Sequence, residues 1–312
     1  MEEQQIIEHA GLEHRGNGHR TGDGQRVIPL QDHHRDERLS DREHLVPELD
    51  EVAVQPPAKT LTLSVVIPTR NEEGNIGHVL RQLSRFDDIV VVDGFSEDNT
   101  VAIARQVRPD LRLLEREPNG KGDALRAGFA AASGDVIVIM DADGSMDPGE
   151  IDVFLSMMAL GFDLVKGSRL ACGGGSHDLT WLRGMGNAAL CTLANSLFRT
   201  RWTDLCYGYL AFRRDCLPRL ALEADGFEIE SEILAHAALR GLCIAEIPSI
   251  EMPRLTGESH LRARRDGPRI LRAMLAARFA PRARRSAAAL RPVPAPSPAV
   301  RPDMEHQAAG VS

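Results

Sequence analysis

The chain has 312 residues, a formal net charge of −8, and a composition that is 43% apolar and 26% charged, enough for one large α/β domain or two smaller ones. It holds no uncharged apolar stretch of about 18 residues, which excludes a transmembrane helix, and the N-terminus shows neither a basic nor an apolar signal region, so a cytoplasmic location is expected. The five cysteines (Cys172, Cys191, Cys206, Cys216, Cys243) are scattered without a CxxC pair, which suits reduced thiols better than a disulfide framework or a zinc site.

Residues 1–60 are polar, acidic and rich in histidine, with no apolar period that could build a core. They read as a disordered tail. Its histidines (His9, His14, His19, His33, His34, His44) fit the spacing of no compact metal site. The folded part starts at LTLSVVIPT, Leu61 to Thr69, a β-rich run of buried-strand length. Helical spacing follows in Ile76, Val79, Leu80 and Leu83, then a strand in DIVVVD (Asp88 to Asp93). SEDNTVAIARQV reads as a helix, LRLLE as a strand, GKGDALRAGFAAA as a helix and DVIVIMDAD as a fourth strand.

Near-continuous Val and Ile strands alternating with helices imply a doubly wound sheet, mainly parallel and covered on both faces. Ligands in such sheets bind outside the carboxyl ends of the strands. Pro68 to Glu72, Asp93, and Asp141 with Asp143 all fall there. A helix follows Asp147-Pro148, with Asp as its cap and Pro at its first position. DLVKGSR (Asp163 to Arg169) is the next strand, then a long helix from Leu179 to Phe198, YGYLAFRRD, a helical FEIESEILAHAALRG and the strand CIAEIPSI. No linker divides this half from the first, so residues 61–285 form one domain, and the Arg-, Pro- and Ala-rich stretch 286–312 reads as a second disordered tail.

Two carboxylates one residue apart are hard oxygen ligands. Mg²⁺ takes one or two protein carboxylates and completes its shell with phosphate oxygens and water, and such an ion would neutralise a leaving diphosphate.

The ordered set VVIPTRNEEGNI, IVVVDGFSEDNT, NGKGDALRAG, VIMDADGSMDP, KGSR, GFEIESE and RLTGESHL resembles a family 2 glycosyltransferase of GT-A fold, within it the dolichyl-phosphate (polyprenyl-phosphate) mannosyltransferase branch. The resemblance runs from about Ser64 to Leu271 and implies an inverting, metal-dependent transfer of a hexose, foremost mannose from GDP-mannose, to polyprenyl phosphate. It implies a nucleotide-sugar pocket of Pro68, Arg70, Glu72, Val91, Asp93, Lys121, Asp141, Ala142, Asp143, Arg254 and Ser259. The metal would be Mg²⁺ or Mn²⁺ on Asp141 and Asp143 near Ser145, with Asp143 in direct contact. Arg169, Arg183 and Asn187 would hold the acceptor phosphate, Arg169 standing with the two aspartates as a catalytic residue. The chain departs from the family pattern at Arg70, often Tyr, at Gly94 and Phe95, usually Asp and Gly, and at His260, usually Lys.

Several residues keep a structural reading beside the functional one. Asp93 can cap the helix near Ser96, NGKG starts a helix more readily than it forms a phosphate loop, and Asp204, Glu230 and Glu232 either line the site or form internal hydrogen bonds. In PRILRAMLAARFAPRARR (Pro268 to Arg285), Ile270, Leu271, Met274, Leu275 and Phe279 face a basic side. That helix either packs on the domain or docks on anionic lipid, and a mixture of the two is expected, which makes the membrane surface a partner and the location peripheral on its inner face. A membrane-embedded partner protein is a further candidate, and no nucleic acid is expected. The alternatives are a UDP-sugar-dependent family 2 enzyme acting on a small molecule or glycan, and a non-catalytic subunit that binds nucleotide or lipid.

Overall fold

The computed structural model describes residues 61–116, 119–257 and 263–279. The two expected tails lie outside the described residues, as do residues 280–285 of the C-terminal segment. The chain opens with β1 (Leu63–Thr69), α1 (Ile76–Gln82), β2 (Asp88–Asp93), α2 (Thr100–Val107) and β3 (Arg112–Glu115). Next come α3 (Lys121–Ala131), β4 (Val136–Ile139), α4 (Ile151–Ala159), β5 (Leu164–Ser168), the short β6 (Gly175–Ser176) and α5 (Trp181–Phe198). β7 (Leu210–Arg213), α6 (Leu217–Leu220), α7 (Ile229–Leu239), β8 (Ile244–Pro248), β9 (Ile250–Glu251) and α8 (Ala263–Phe279) complete it.

Seven strands form one sheet in the order β3-β2-β1-β4-β7-β5-β8, while β6 and β9 pair separately. All but β7 run parallel; β7 lies antiparallel between β4 and β5. The expected mainly parallel sheet is therefore present, and the second half of the chain extends the first. Side chains alternate between its faces. Val65, Ile67 and Val91 pack on α1 and α4, while Val66, Val90 and Val92 pack on α3 and α7. At Gly128 an added Cβ would stand 2.3 Å from Val66, so α3 approaches the sheet as closely as it does because that position is glycine.

Two features of this order position the site. The chain builds outward from β1 to β2 and β3, then crosses back to place β4 on the other side of β1. The loops after β1 and β4 thus diverge and leave a crevice at a topological switch point. The reversed β7 enters the sheet at that same end, so residues 203–208 reach the carboxyl end of β5.

The C-terminal helix differs from expectation. It starts at Ala263, ahead of Pro268, which lies inside it. Ile270, Met274 and Ala277 are buried, and the helix packs against α7 and α5. Of the expected apolar stripe, Ile270 and Met274 are thus taken by the core, Leu271 is half-buried, and Leu275 and Phe279 stay exposed. Met274→Ala should cost about 2–5 kcal/mol in urea unfolding, and Leu275→Ala about 0.5 kcal/mol or less. The opposite ranking would mean that the helix turns its other face to the core.

Candidate active site

Beyond Ile139 the chain leaves the sheet: the Met140 N–H reaches Val66 O at 3.1 Å, and Asp141 begins a tight turn. Gly144 adopts φ +78°, where a side chain would be strained and would also strike Leu255. The Ser145 N–H donates to Asp143 Oδ1 at 2.9 Å, fixing that carboxylate against its own turn. Asp147 then accepts from Gly149 N, with Pro148 at the first position of a 3₁₀ turn that leads into α4, as the sequence predicts. Asp143 is 3% exposed, whereas the Asp141 side chain keeps 26% of its surface.

Each carboxylate meets a cation from elsewhere in the chain. Lys121, at the start of α3, places Nζ 2.6 Å from Asp141 Oδ1 and 2.7 Å from Glu230 Oε1. It gets there because Gly120 and Gly122 dock α3 directly on the backbone of 224–226, where a Cβ at Gly122 would stand 2.3 Å from Ala224 O. NGKG is thus a helix start. Burial opposes the ammonium charge, but Asp141 and Glu230 outweigh it and hold Lys121 above the usual lysine range. Burial pushes the Glu230 carboxyl up, and the charge of Lys121 offsets part of that.

Arg254, in the loop after β9, places Nη1 2.8 Å from Asp143 Oδ2. Among the described residues its buried Nε has no hydrogen-bond partner, lying 3.8 Å from Asp178 Oδ2. The loop that carries it lies across the crevice. On one side Met252 N donates to Ser145 O at 2.8 Å and Leu255 N to Asp143 O at 3.3 Å. On the other, Thr256 Oγ1 donates to Asn75 Oδ1 at 2.7 Å, and Asn75 Nδ2 donates to Glu72 Oε2 at 2.5 Å. Burial raises the Glu72 carboxyl; the Asn75 bond opposes this, and the charges of Asp143 and Asp141 add to it. Glu72, Asp141, Asp143 and Arg254 therefore feel one another across one cleft. Ser259 and His260 lie outside the described residues.

The loops after β1 and β2 are stapled together. Asp93 accepts from Ser96 N at 2.9 Å and Ser96 Oγ at 2.5 Å, and Asn71 N donates to Ser96 Oγ at 2.8 Å. Asp93, 1% exposed, thus ties its own loop to the loop after β1. Arg70 is exposed and Pro68 half-buried at the mouth. Val91 is corrected: its side chain is buried in the core, so no side-chain contact with a nucleotide is open to it. Ala142, also buried, spaces the two aspartates. Phe95 has φ 54° and is 55% exposed, which explains why glycine suits this position better.

Of the residues expected to hold an acceptor phosphate, two are engaged within the protein. The Arg169 guanidinium forks onto Asp204, with Nε 2.7 Å and Nη2 3.1 Å from its oxygens, and Nη1 lies 3.2 Å from Glu251. Its plane also lies over the Tyr207 ring at 4.9 Å. All three guanidinium nitrogens face protein acceptors, so Arg169 braces the end of β5. Asn187 is 2% exposed, and its Oδ1 accepts from Leu205 N and Cys206 N, so it supports the 203–206 segment from below. Arg183 stays partly open, its Nη1 3.7 Å from Asp178. Glu232 takes the structural alternative, accepting from the backbone of Glu223 and Ala224. The sequence reading missed Glu251 and Asp178 and left Asp204 open. An acid set among the bulky apolar residues of WTDLCYGYLAF is itself the signal of a buried ion pair.

The donor set fits a divalent ion. Asp141 and Asp143 are hard carboxylates on one turn, and the buried Ser145 adjoins them. Among the described residues no three His, Cys, Asp or Glu side chains group to hold an ion unaided. Two suffice for an ion that completes its shell with phosphate and water.

The sequence model of glycosyl transferase family 2 matches residues 64–220. The chain is 35% identical over 190 residues to the dolichyl-phosphate hexose transferase of Haloferax volcanii, covering 60% of this chain and 81% of that one. It is 31% identical over 227 residues to the polyprenol monophosphomannose synthase of Mycolicibacterium smegmatis, covering 68% and 84%. Glucosyl-3-phosphoglycerate synthase from Mycobacterium tuberculosis, solved with Mn²⁺, uridine diphosphate and glucosyl-3-phosphoglycerate, superposes with a TM-score of 0.58. That match covers 71% of this chain and 81% of the other at 24% identity, a likeness of fold, which is GT-A.

Removing Arg169 leaves Asp204 buried without its counter-charge. Arg169→Ala should therefore cost about 3–5 kcal/mol in urea unfolding at neutral pH, against about 0.5 kcal/mol or less for Arg183→Ala. Burial raises the Asp204 carboxyl, but the Arg169 bonds and charge win and hold it below its ordinary value of 3.8. Its contribution is thus full above that value and lost as pH falls through the lower folded one. The gap between wild type and Arg169→Ala should close in acid; a gap that persists there would refute the ion-pair account.

Proposed function

Since the chain belongs to the family 2 glycosyl transferases, we propose that this glycosyltransferase moves a hexose, mannose from GDP-mannose foremost, to a polyprenyl phosphate at the cytoplasmic face of a membrane. The observation that carries the reading is the meeting of Asp141 and Asp143 with Lys121 and Arg254, each carboxylate matched by one cation. Relatives named for hexose transfer to dolichyl phosphate and for polyprenol monophosphomannose synthesis support the acceptor class.

A Mg²⁺ or Mn²⁺ ion on Asp141 and Asp143 would supply Lewis-acid neutralisation of the leaving diphosphate. This chain's residues do the rest. Arg254, with one buried N–H already unpartnered, turns from Asp143 to a diphosphate oxygen, a trade of one anion for another. Lys121 holds Asp141 in place toward the sugar. Arg70 and the Asp93 loop frame the nucleoside. Arg183 orients the acceptor phosphate, with Arg169 and Asn187 stiffening the wall behind it. A phosphate acceptor is already anionic at neutral pH, so it needs positioning and no general base. A single displacement at the anomeric carbon inverts configuration.

Incubation with Mg²⁺, labelled GDP-mannose or UDP-glucose, and a short polyprenyl phosphate in detergent should give a labelled lipid. Asp143→Asn should lower turnover by about 10²–10³-fold, and a chelator should abolish it. Product from UDP-glucose alone would move the donor assignment, and no lipid product from any sugar nucleotide would sink the proposal.

A further inference from the structure

Phe95 stands in the loop after β2 with φ 54° and 55% of its surface exposed. Asn71, in the adjoining loop after β1, shares that left-handed backbone at φ 54°. For asparagine the conformation is ordinary, whereas for a bulky aromatic residue it is an outlier. The strain has no route to relax. The amide of Gly94 donates to Thr69 O at 2.9 Å, that of Ser96 to Asp93 Oδ2 at 2.9 Å and that of Glu97 to Asn71 Oδ1 at 2.8 Å, so the backbone is fixed on both sides of the ring. Among the described residues Phe95 has no aromatic or cationic partner. An apolar ring kept in an unfavourable backbone and left in water does little for the fold, and such outliers cluster where ligands bind.

Its position indicates the ligand. Thr69 and Asp93 are the last register pair of β1 and β2, so Arg70 and Phe95 follow from neighbouring strand ends. Arg70 is exposed and, among the described residues, makes no ion pair. Asp141 and Asp143 follow β4, which lies on the other side of β1. Two strand spacings, about 10 Å, thus separate the Phe95 loop from the carboxylate turn. That leaves room for a ribose between a base at Phe95 and a diphosphate at the carboxylates.

We infer that the Phe95 ring stacks on the nucleobase of the donor and makes the site favour a purine. A purine brings two fused rings to the stack and a pyrimidine one. Beside it, the planar fork of Arg70 suits the O6 and N7 edge of guanine. Glycine at 95 would relieve the backbone and lose the stack. The inference rests on the nucleotide-sugar reading of the crevice and assigns its base selectivity to one residue.

Isothermal titration calorimetry of the full chain with GDP and with UDP, in Mg²⁺ and without acceptor, tests it. Phe95→Gly should bind GDP about tenfold more weakly or worse and lose less toward UDP, so that the preference for GDP narrows. Phe95→Leu, apolar but without a flat ring, should do the same, and Phe95→Tyr should restore the wild-type values. The thermal midpoint of Phe95→Gly should stay level or rise, because the left-handed strain is gone. Unchanged GDP affinity in Phe95→Gly and Phe95→Leu, an equal loss for both nucleotides, or a wild type that prefers UDP overturns the inference. So does a lowered midpoint in Phe95→Gly, since the ring would then be serving the fold. Lipid product from wild type, with GDP binding that ignores Phe95, refutes this inference alone. Phe95-dependent GDP binding without lipid product refutes the acceptor reading and leaves the stack, and a wild type that binds neither nucleotide refutes both.

Discussion

Two carboxylates brought out of bulk water on one short turn must be compensated. Asp141 and Asp143 sit at the end of a strand whose four residues are all buried, and each would otherwise face a steep loss of hydration. The fold answers with Lys121 and Arg254, delivered by the start of α3 and by the loop after β9. Most of the described site geometry follows from that delivery. The glycines at 120 and 122 let α3 come close enough for Lys121, and the clip of residues 252–256 over the β1 and β4 loops carries Arg254. Lys121 is held by two carboxylates at once, whereas Arg254 keeps one buried N–H without a partner among the described residues.

The end of β5 is braced differently. Arg169 and Asp204 form a forked pair, 8% and 0% exposed, reinforced by Glu251 and by the Tyr207 ring. Breaking it strands a buried charge, so it behaves as a permanent brace. The end of β5 thus forms a wall of charges committed to one another.

Much of this was legible in the sequence. The Val and Ile runs specify buried parallel strands, Asp147-Pro148 marks a helix start, and the spacing of Asp141 and Asp143 after an apolar run places both at a strand end. What stayed hidden is long-range partnership. LAFR has the composition of a strand but no mark of direction, so the reversal of β7 was invisible, and with it the approach of Asp204 to Arg169. Arg169 and Asn187 sit in the motifs of phosphate-holding residues, yet their side chains answer acids and amides 16 to 82 positions away. The apolar spacing of α8 was readable, but which neighbour would claim that stripe was not. Phe95 shows the reverse: the sequence displayed a departure from glycine, and only the backbone angle gave it a physical meaning.

The clip between Asn75 and Thr256 joins residues 181 positions apart. Closing a loop of that length forfeits chain entropy before any contact returns it. The counter-charge for Asp143 therefore comes from the far end of the domain, beyond β9. The integrity of the crevice thus depends on contacts between the two ends of the domain, far from the turn that carries the carboxylate.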